Sequence, residues 1–203
     1  MKQISALVMC AALICACSAG SGGGSGDGTG DGGSTAADGT SGTGDSSDST
    51  DDGASATDST DGGDGADSST GGSGMDTIDA GQGQDNVDGG DDNDSLNGMA
   101  GLDTITGGAG DDTILGGSEN DSIVGGDGND LIDGQGGDDT LSGDAGNDTV
   151  AGGAGSDSID AGVGDDFVNA GSGRDTVSGG NGNDRILGGD RKSTRLNSSH
   201  QPH

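Results

Sequence analysis

The 203-residue chain has no tryptophan, no tyrosine and one phenylalanine, Phe167. An ordinary globular core is therefore excluded, because aromatic side chains supply much of the area such cores bury. Proline is almost absent too: Pro202 is the only one, and the fifty glycines do not recur at every third position, which excludes a collagen triple helix. Only six basic residues stand against 37 acidic ones, giving a net charge of −31. No nucleic-acid partner fits that balance, since phosphate neutralisation needs Lys and Arg. The same charge suits either a solvated disordered chain or a carboxylate array that holds cations. Every acid except Glu119 is an aspartate. The three cysteines, Cys10, Cys15 and Cys17, all fall in the first seventeen residues, so no disulfide framework can staple the rest.

That first stretch has one basic residue, Lys2, an apolar run from Ile4 to Ile14, and then small residues. This is the layout of a secretory signal, and it is too short for a stable membrane span. Ile14-Cys15-Ala16-Cys17 also resembles a bacterial lipobox, which implies a mature protein beginning at a lipidated Cys17. Ser18 after that cysteine resembles the signal for sorting to the outer membrane, so an extracellular or cell-surface location is expected, with the membrane met through a lipid anchor only. From Ser18 to Thr70 the chain contains only Gly, Ser, Thr, Asp and Ala. With no large apolar side chain to offset the ordering entropy, residues 18–70 read as a disordered linker. Asp27-Gly28-Thr29-Gly30-Asp31-Gly32 looks like the start of an EF-hand loop, but no Glu closes it at the twelfth position.

From Gly71 the chain can be written in nines, beginning GGSGMDTID, AGQGQDNVD and GGDDNDSLN, and thirteen units run to Leu187 without insertion or deletion. The sixth position is always aspartate: Asp76, Asp85, Asp94, Asp103, Asp112, Asp121, Asp130, Asp139, Asp148, Asp157, Asp166, Asp175 and Asp184. The eighth is always aliphatic, from Ile78, Val87 and Leu96 through to Val177 and Ile186. These units match G-G-x-G-x-D-x-U-x, with U a large aliphatic, so the region resembles the calcium-binding repeats of the repeats-in-toxin (RTX) family. The resemblance implies an all-β fold, a right-handed parallel β-roll (a β-solenoid) in which two nonapeptides make one turn.

The residues argue for the same architecture. A three-residue x-U-x strand can turn only U inward, so a core exists only if turns stack. Repeats two apart would then lie one strand spacing apart, about 4.8 Å. Their aspartates form two columns, Asp76, Asp94, Asp112, Asp130, Asp148, Asp166 and Asp184 on a first edge and the other six on a second. Carboxylates at that spacing repel by roughly 0.9 kcal/mol even in bulk water. A hard cation with six to eight oxygen ligands turns that repulsion into cross-linking, and Ca2+ suits such a site better than Mg2+, which demands a small rigid octahedron. Zinc is unsuited, because the repeats contain no His or Cys. Neighbouring loops give up to about eleven calcium sites, six on one edge and five on the other. Asp92 and Glu119 replace the fourth-position glycine, Met99, Gln135 and Asp144 the second, and Ala80, Ala161 and Ala170 the first, so neighbouring sites should be strained, with alanine the mildest change.

Catalysis finds no footing in these residues. The repeats hold no Lys for a phosphate loop, neither histidine has a Ser or Cys placed to use it, and the many G-x-G-x-x-G matches lack a βαβ context. Phe167 reads as an isolated surface aromatic. Residues 190–203 hold both histidines, the proline and three of the six basic residues, and Asp190-Arg191-Lys192-Ser193-Thr194-Arg195-Leu196-Asn197 resembles a translated sequencing adapter. The reading is thus a noncatalytic calcium-binding surface protein. Its alternative is a secreted RTX-type enzyme or toxin in which the repeats are only a calcium-dependent folding module. A protein or glycan partner has no signature here.

Overall fold

Side-chain alternation and an 18-residue repeat dictate the architecture. The computed structural model describes residues 48–50, 59–189 and 196–199, all within one compact unit, Thr40–His203. Cys17, the apolar run before it, the rest of residues 18–58 and the remainder of the 190–203 tail lie outside the described residues. All strand pairings are parallel, and in the repeats each strand pairs with those 18 residues before and after it, as in Ile105↔Ile123 and Ile114↔Ile132. Odd and even nonapeptides therefore build two separate sheets. One carries Ser68–Ser73, Asn86–Asp91, Thr104–Ala109, Ser122–Asp127, Thr140–Ala145, Ser158–Asp160 and Thr176–Asn181. The other carries Ser59–Asp61, Thr77–Asp79, Ser95–Asn97, Thr113–Ser118, Leu131–Gly136, Thr149–Ala151, Phe167–Asn169 and Arg185–Leu187. The result is a parallel β-solenoid, and no helix occurs among the described residues.

The eighth-position aliphatics of both sheets meet in a single core, which Ala80, Ala161 and Ala170 join. From Ile78 to Val177 each is at most 3 % exposed, while Ile186 in the last turn is only partly covered. Burying a side chain of this size contributes roughly 1.5–3 kcal/mol. Because the pleat turns neighbours to opposite faces, Ile132 is fully buried and the adjacent Leu131 is 47 % exposed. Ile132→Ala should therefore cost about 2–5 kcal/mol in a denaturant titration with calcium present, and Leu131→Ala almost nothing.

The structure departs from the sequence reading in two respects. Several strands are six residues long, not three: in Thr104–Ala109 the ladder runs on through both glycines, with Ile105 and the first-position Gly107 buried. The stacked register also starts before Gly71, at Ser59. Gly62-Gly63-Asp64-Gly65-Ala66-Asp67-Ser68-Ser69-Thr70 pairs in register with the turn above it, Ser69 opposite Val87, and Ser59–Asp61 pairs with Thr77–Asp79. Residues 62–70 carry no large apolar side chain, and Ser69 stands where the repeats place an aliphatic, yet Ser69 is only 2 % exposed. A small hydroxyl can close the end of an apolar column that the next turn already fills. Two further strands lie outside the 18-residue register: Asp48–Thr50 pairs with Ser68–Thr70, and Leu196–Ser199 with the strand Thr176–Asn181.

Candidate metal centre

Each sixth-position aspartate directly precedes a strand, and the parallel register carries it to the same place in every turn. The twelve from Asp76 to Asp175 are at most 4 % exposed, Asp67 joins them at 4 %, and Asp184 in the last turn is partly buried. Both predicted columns form. On the first edge the backbone N–H of Asp76 donates to Asp94 Oδ1 at 2.8 Å, that of Asp94 to Asp112 at 2.8 Å, and the ladder continues at 2.9–3.2 Å through Asp130, Asp148 and Asp166 to Asp184. The second runs from Asp67 through Asp85, Asp103, Asp121, Asp139 and Asp157 to Asp175 at 2.8–3.2 Å. Each sixth-position carboxylate from Asp85 to Asp184 thus reaches back one turn with one oxygen.

In ten of these aspartates the other oxygen has nothing to bond. Oδ2 of Asp85, Asp94, Asp103, Asp112, Asp121, Asp130, Asp139, Asp148, Asp157 and Asp166 is buried and without a hydrogen-bond partner. Ten such orphans in one small domain would be a severe cost unless something else satisfies them. The glycine pattern explains their surroundings. A Cβ on Gly89 would stand 2.5 Å from both Asp94 Oδ2 and the carbonyl oxygen of Gly107, so the two oxygens converge on a face that glycine leaves open. First-position glycines thus serve close approach, whereas the second and fourth adopt positive φ. Gly101, at φ 151°, also faces the Gly83 carbonyl of the previous turn too closely for any side chain. Gly101→Ala should consequently abolish the ordered turn, and Gly107→Ala, at a position where the chain itself uses alanine three times, should only weaken it; calcium-dependent circular dichroism of the two variants checks the ranking.

The predicted strain is present at all five second- and fourth-position departures. Asp92, Met99, Glu119, Gln135 and Asp144 are the non-glycine residues with positive φ among the described residues, between 67° and 76°. Fourth-position glycines lie between 118° and 153° from Gly65 to Gly182, so Asp92 and Glu119 have a differently rotated loop. A non-glycine residue held there costs on the order of 1 kcal/mol.

Burial pushes the stacked carboxyls up. Asp94, Asp112, Asp148 and Asp157 are raised to about 6 and Asp121 to about 7, through lost hydration first and the like charges of neighbouring turns, against the opposing backbone N–H bond. Asp85, Asp103, Asp130, Asp139 and Asp166 are raised for the same leading reason. An array that resists holding its own negative charge is one that a cation would stabilise. No three acidic, histidine or cysteine side chains converge on one point among the described residues. A cation between turns would accordingly be held by two aspartates and backbone carbonyls, an all-oxygen set that fits a hard, high-coordination ion.

Sequence reasoning missed three features. Asp67 is a further member of the second column, and its signal was the Gly-Gly-x-Gly-x-Asp spacing that persists at Gly62–Asp67. The fifth position is an unspecified x in the repeat pattern, yet Asn93, Asp111, Asn129, Asn147, Asp165 and Asn183 form an exposed hydrogen-bonded ladder. Phe167 is not isolated, because the Arg185 guanidinium of the next turn lies over its ring at 5.1 Å from the centroid.

Comparison with known proteins agrees with this geometry. The family described as RTX calcium-binding nonapeptide repeat (4 copies) matches residues 61–96, 88–123, 115–150, 142–177 and 160–190, beginning at the earlier boundary seen in the fold. No curated protein matches the chain. The matched segments run together over 61–190, well over half of the 203 residues, and the chain belongs to the RTX calcium-binding repeat family.

Proposed function

We propose that this protein is a noncatalytic, secreted or surface-held calcium binder whose repeat region folds when calcium fills the gaps between turns. The observation that carries this reading is the row of buried, unpartnered Oδ2 atoms on each edge. The residues assigned to hold calcium are Asp76, Asp94, Asp112, Asp130, Asp148, Asp166 and Asp184 on the first edge. On the second they are Asp85, Asp103, Asp121, Asp139, Asp157 and Asp175, with Asp67 added by its place in the ladder. Six inter-turn gaps on each edge are spanned by sixth-position bonds, one more than the spacing predicted on the second edge. Calcium supplies positive charge between stacked carboxylates, and the chain supplies two carboxylates and glycine-exposed carbonyls for each gap.

Coupling of folding to binding follows from the same balance. Without a cation the core must outweigh two columns of stacked negative charge in a molecule of net charge −31. Far-ultraviolet circular dichroism of the full chain should show a cooperative gain of β-signal with calcium and little with magnesium. An equal response to both ions would overturn the assignment. The N-terminal pattern supports export and anchoring through Cys17. Cys17→Ser should then move the protein from the membrane fraction to the soluble one, and an unchanged distribution would remove the anchor from the reading.

A further inference from the structure

The fifth-position side chains distinguish the two edges. On the first edge the backbone N–H of Asp111 donates to Asn93 Oδ1, that of Asn129 to Asp111, of Asn147 to Asn129, of Asp165 to Asn147 and of Asn183 to Asp165, at 2.7–2.9 Å. Asn129, Asn147 and Asn183 add side-chain amide bonds to the preceding turn at 3.0–3.2 Å. These side chains reach forward one turn, while each sixth-position aspartate reaches back one turn. Five consecutive gaps are therefore clasped in both directions. On the second edge the forward bond spans only two gaps, from Asp138 to Asn120 at 2.8 Å and from Ser156 to Asp138 at 2.6 Å. Leu102, which has no acceptor, and Arg174, which has only donors, stand at that position in other turns of this edge.

Backbone strain is divided in the same sense. Three successive second-edge loops carry Met99 at φ 69°, Glu119 at 75° and Gln135 at 67°. The first edge carries only Asp92 and Asp144, and aspartate is among the side chains that tolerate the left-handed region. One edge therefore has clasped, mostly relaxed loops, and the other has strained loops with few clasps.

We infer that the two edges are unequal calcium-binding faces: the clasped first edge takes calcium at lower concentration, and the second fills afterwards. The inference rests on the reading that the sixth-position aspartates hold calcium. Each fifth-position residue adjoins such an aspartate, so a clasp forms in the same stacked pair of turns that calcium binding orders. Its bonds lower the free energy of that ordered pair, less of the ordering cost falls on the ion, and affinity rises accordingly. Asn93, Asp111, Asn129, Asn147, Asp165 and Asn183 are positioning residues in this scheme, not ligands.

The test is a calcium titration of the 15N-labelled full chain, following fourth-position glycine amides: Gly110, Gly128, Gly146 and Gly164 report the first edge, and Gly101, Gly137, Gly155 and Gly173 the second. In the unmodified protein the first set should reach its midpoint at lower calcium. Asn129→Ala with Asn147→Ala should raise that midpoint at least about threefold and move the second set less, since each bond is worth roughly two- to twelvefold. Alanine is tolerable there because the second edge already accepts Leu102. Asn129→Asp with Asn147→Asp keeps the acceptor and should restore the first-edge midpoint, as Asp111 and Asp165 do naturally. Equal midpoints in the unmodified protein, or an equal shift of both sets in the alanine variant, overturn the inference while leaving calcium binding intact. Failure of either set to respond to calcium overturns the site assignment beneath it.

Discussion

Replacing Asp112, Asp130 and Asp148 together with asparagine should yield a roll that keeps its β-signal without calcium and no longer responds across those turns. Asparagine retains an oxygen to accept the backbone N–H bonds from Asp94, Asp112 and Asp130, which the structure places at 2.8–2.9 Å on the column's carboxylates. It removes three buried negative charges, and with them both the repulsion and the attraction for a cation. Alanine at the same positions should instead abolish ordering with or without calcium, because the N–H donors lose their acceptors as well. Changing Asp27, Asp31 and Asp38, which precede the repeats, to alanine removes the same charge and should leave the titration unchanged. Circular dichroism and isothermal titration calorimetry on the three variants separate the outcomes; equal effects from the N-terminal and column substitutions would refute the assignment.

Acid should substitute for calcium. The folded-state values of Asp94, Asp112, Asp148 and Asp157 near 6 and of Asp121 near 7 lie above the ordinary 3.8, so the folded roll binds more protons than the unfolded chain between those limits. A raised folded-state value stabilises the folded form fully below the unfolded value, and that contribution is lost as pH rises through 6 to 7. Calcium-free protein should therefore gain β-structure on acidification to about pH 5 and lose it again at about pH 7.5. Calcium requires the ionised carboxylates, so its apparent affinity should fall over the same interval as pH is lowered. A calcium-free chain equally unstructured at both pH values would show that carboxylate repulsion is not what opposes folding.

The repeats made much of this legible. A period of nine with one aliphatic two places after one aspartate leaves few ways to bury apolar surface, and the stacked register, the buried column from Ile78 to Val177 and both aspartate ladders follow from it. The second- and fourth-position departures were equally readable, since Met99, Glu119 and Gln135 stand where the backbone demands a positive φ. The turn holding Asp67 was lost because Ser69 broke the aliphatic rule, although its glycines and aspartate kept the spacing. The fifth-position ladder escaped for another reason. Asn and Asp are common beside glycine in any turn, so nothing in one nonapeptide distinguishes a side chain pointing into solvent from one bonded to residue i+18.

The sequence by itself determined the period, the two faces of each strand and the identity of the stacked carboxylates, because those depend on spacing along the chain and on the twofold alternation of a β-strand. Only the tertiary structure decided which oxygen of each aspartate is used and which is left over, because that depends on where the N–H of another turn lies. It also decided that first-position glycines serve close approach and not backbone reversal, and that the two edges differ. Contacts between residues 18 apart appear only when turns are stacked, and the differences between the edges arise from those contacts.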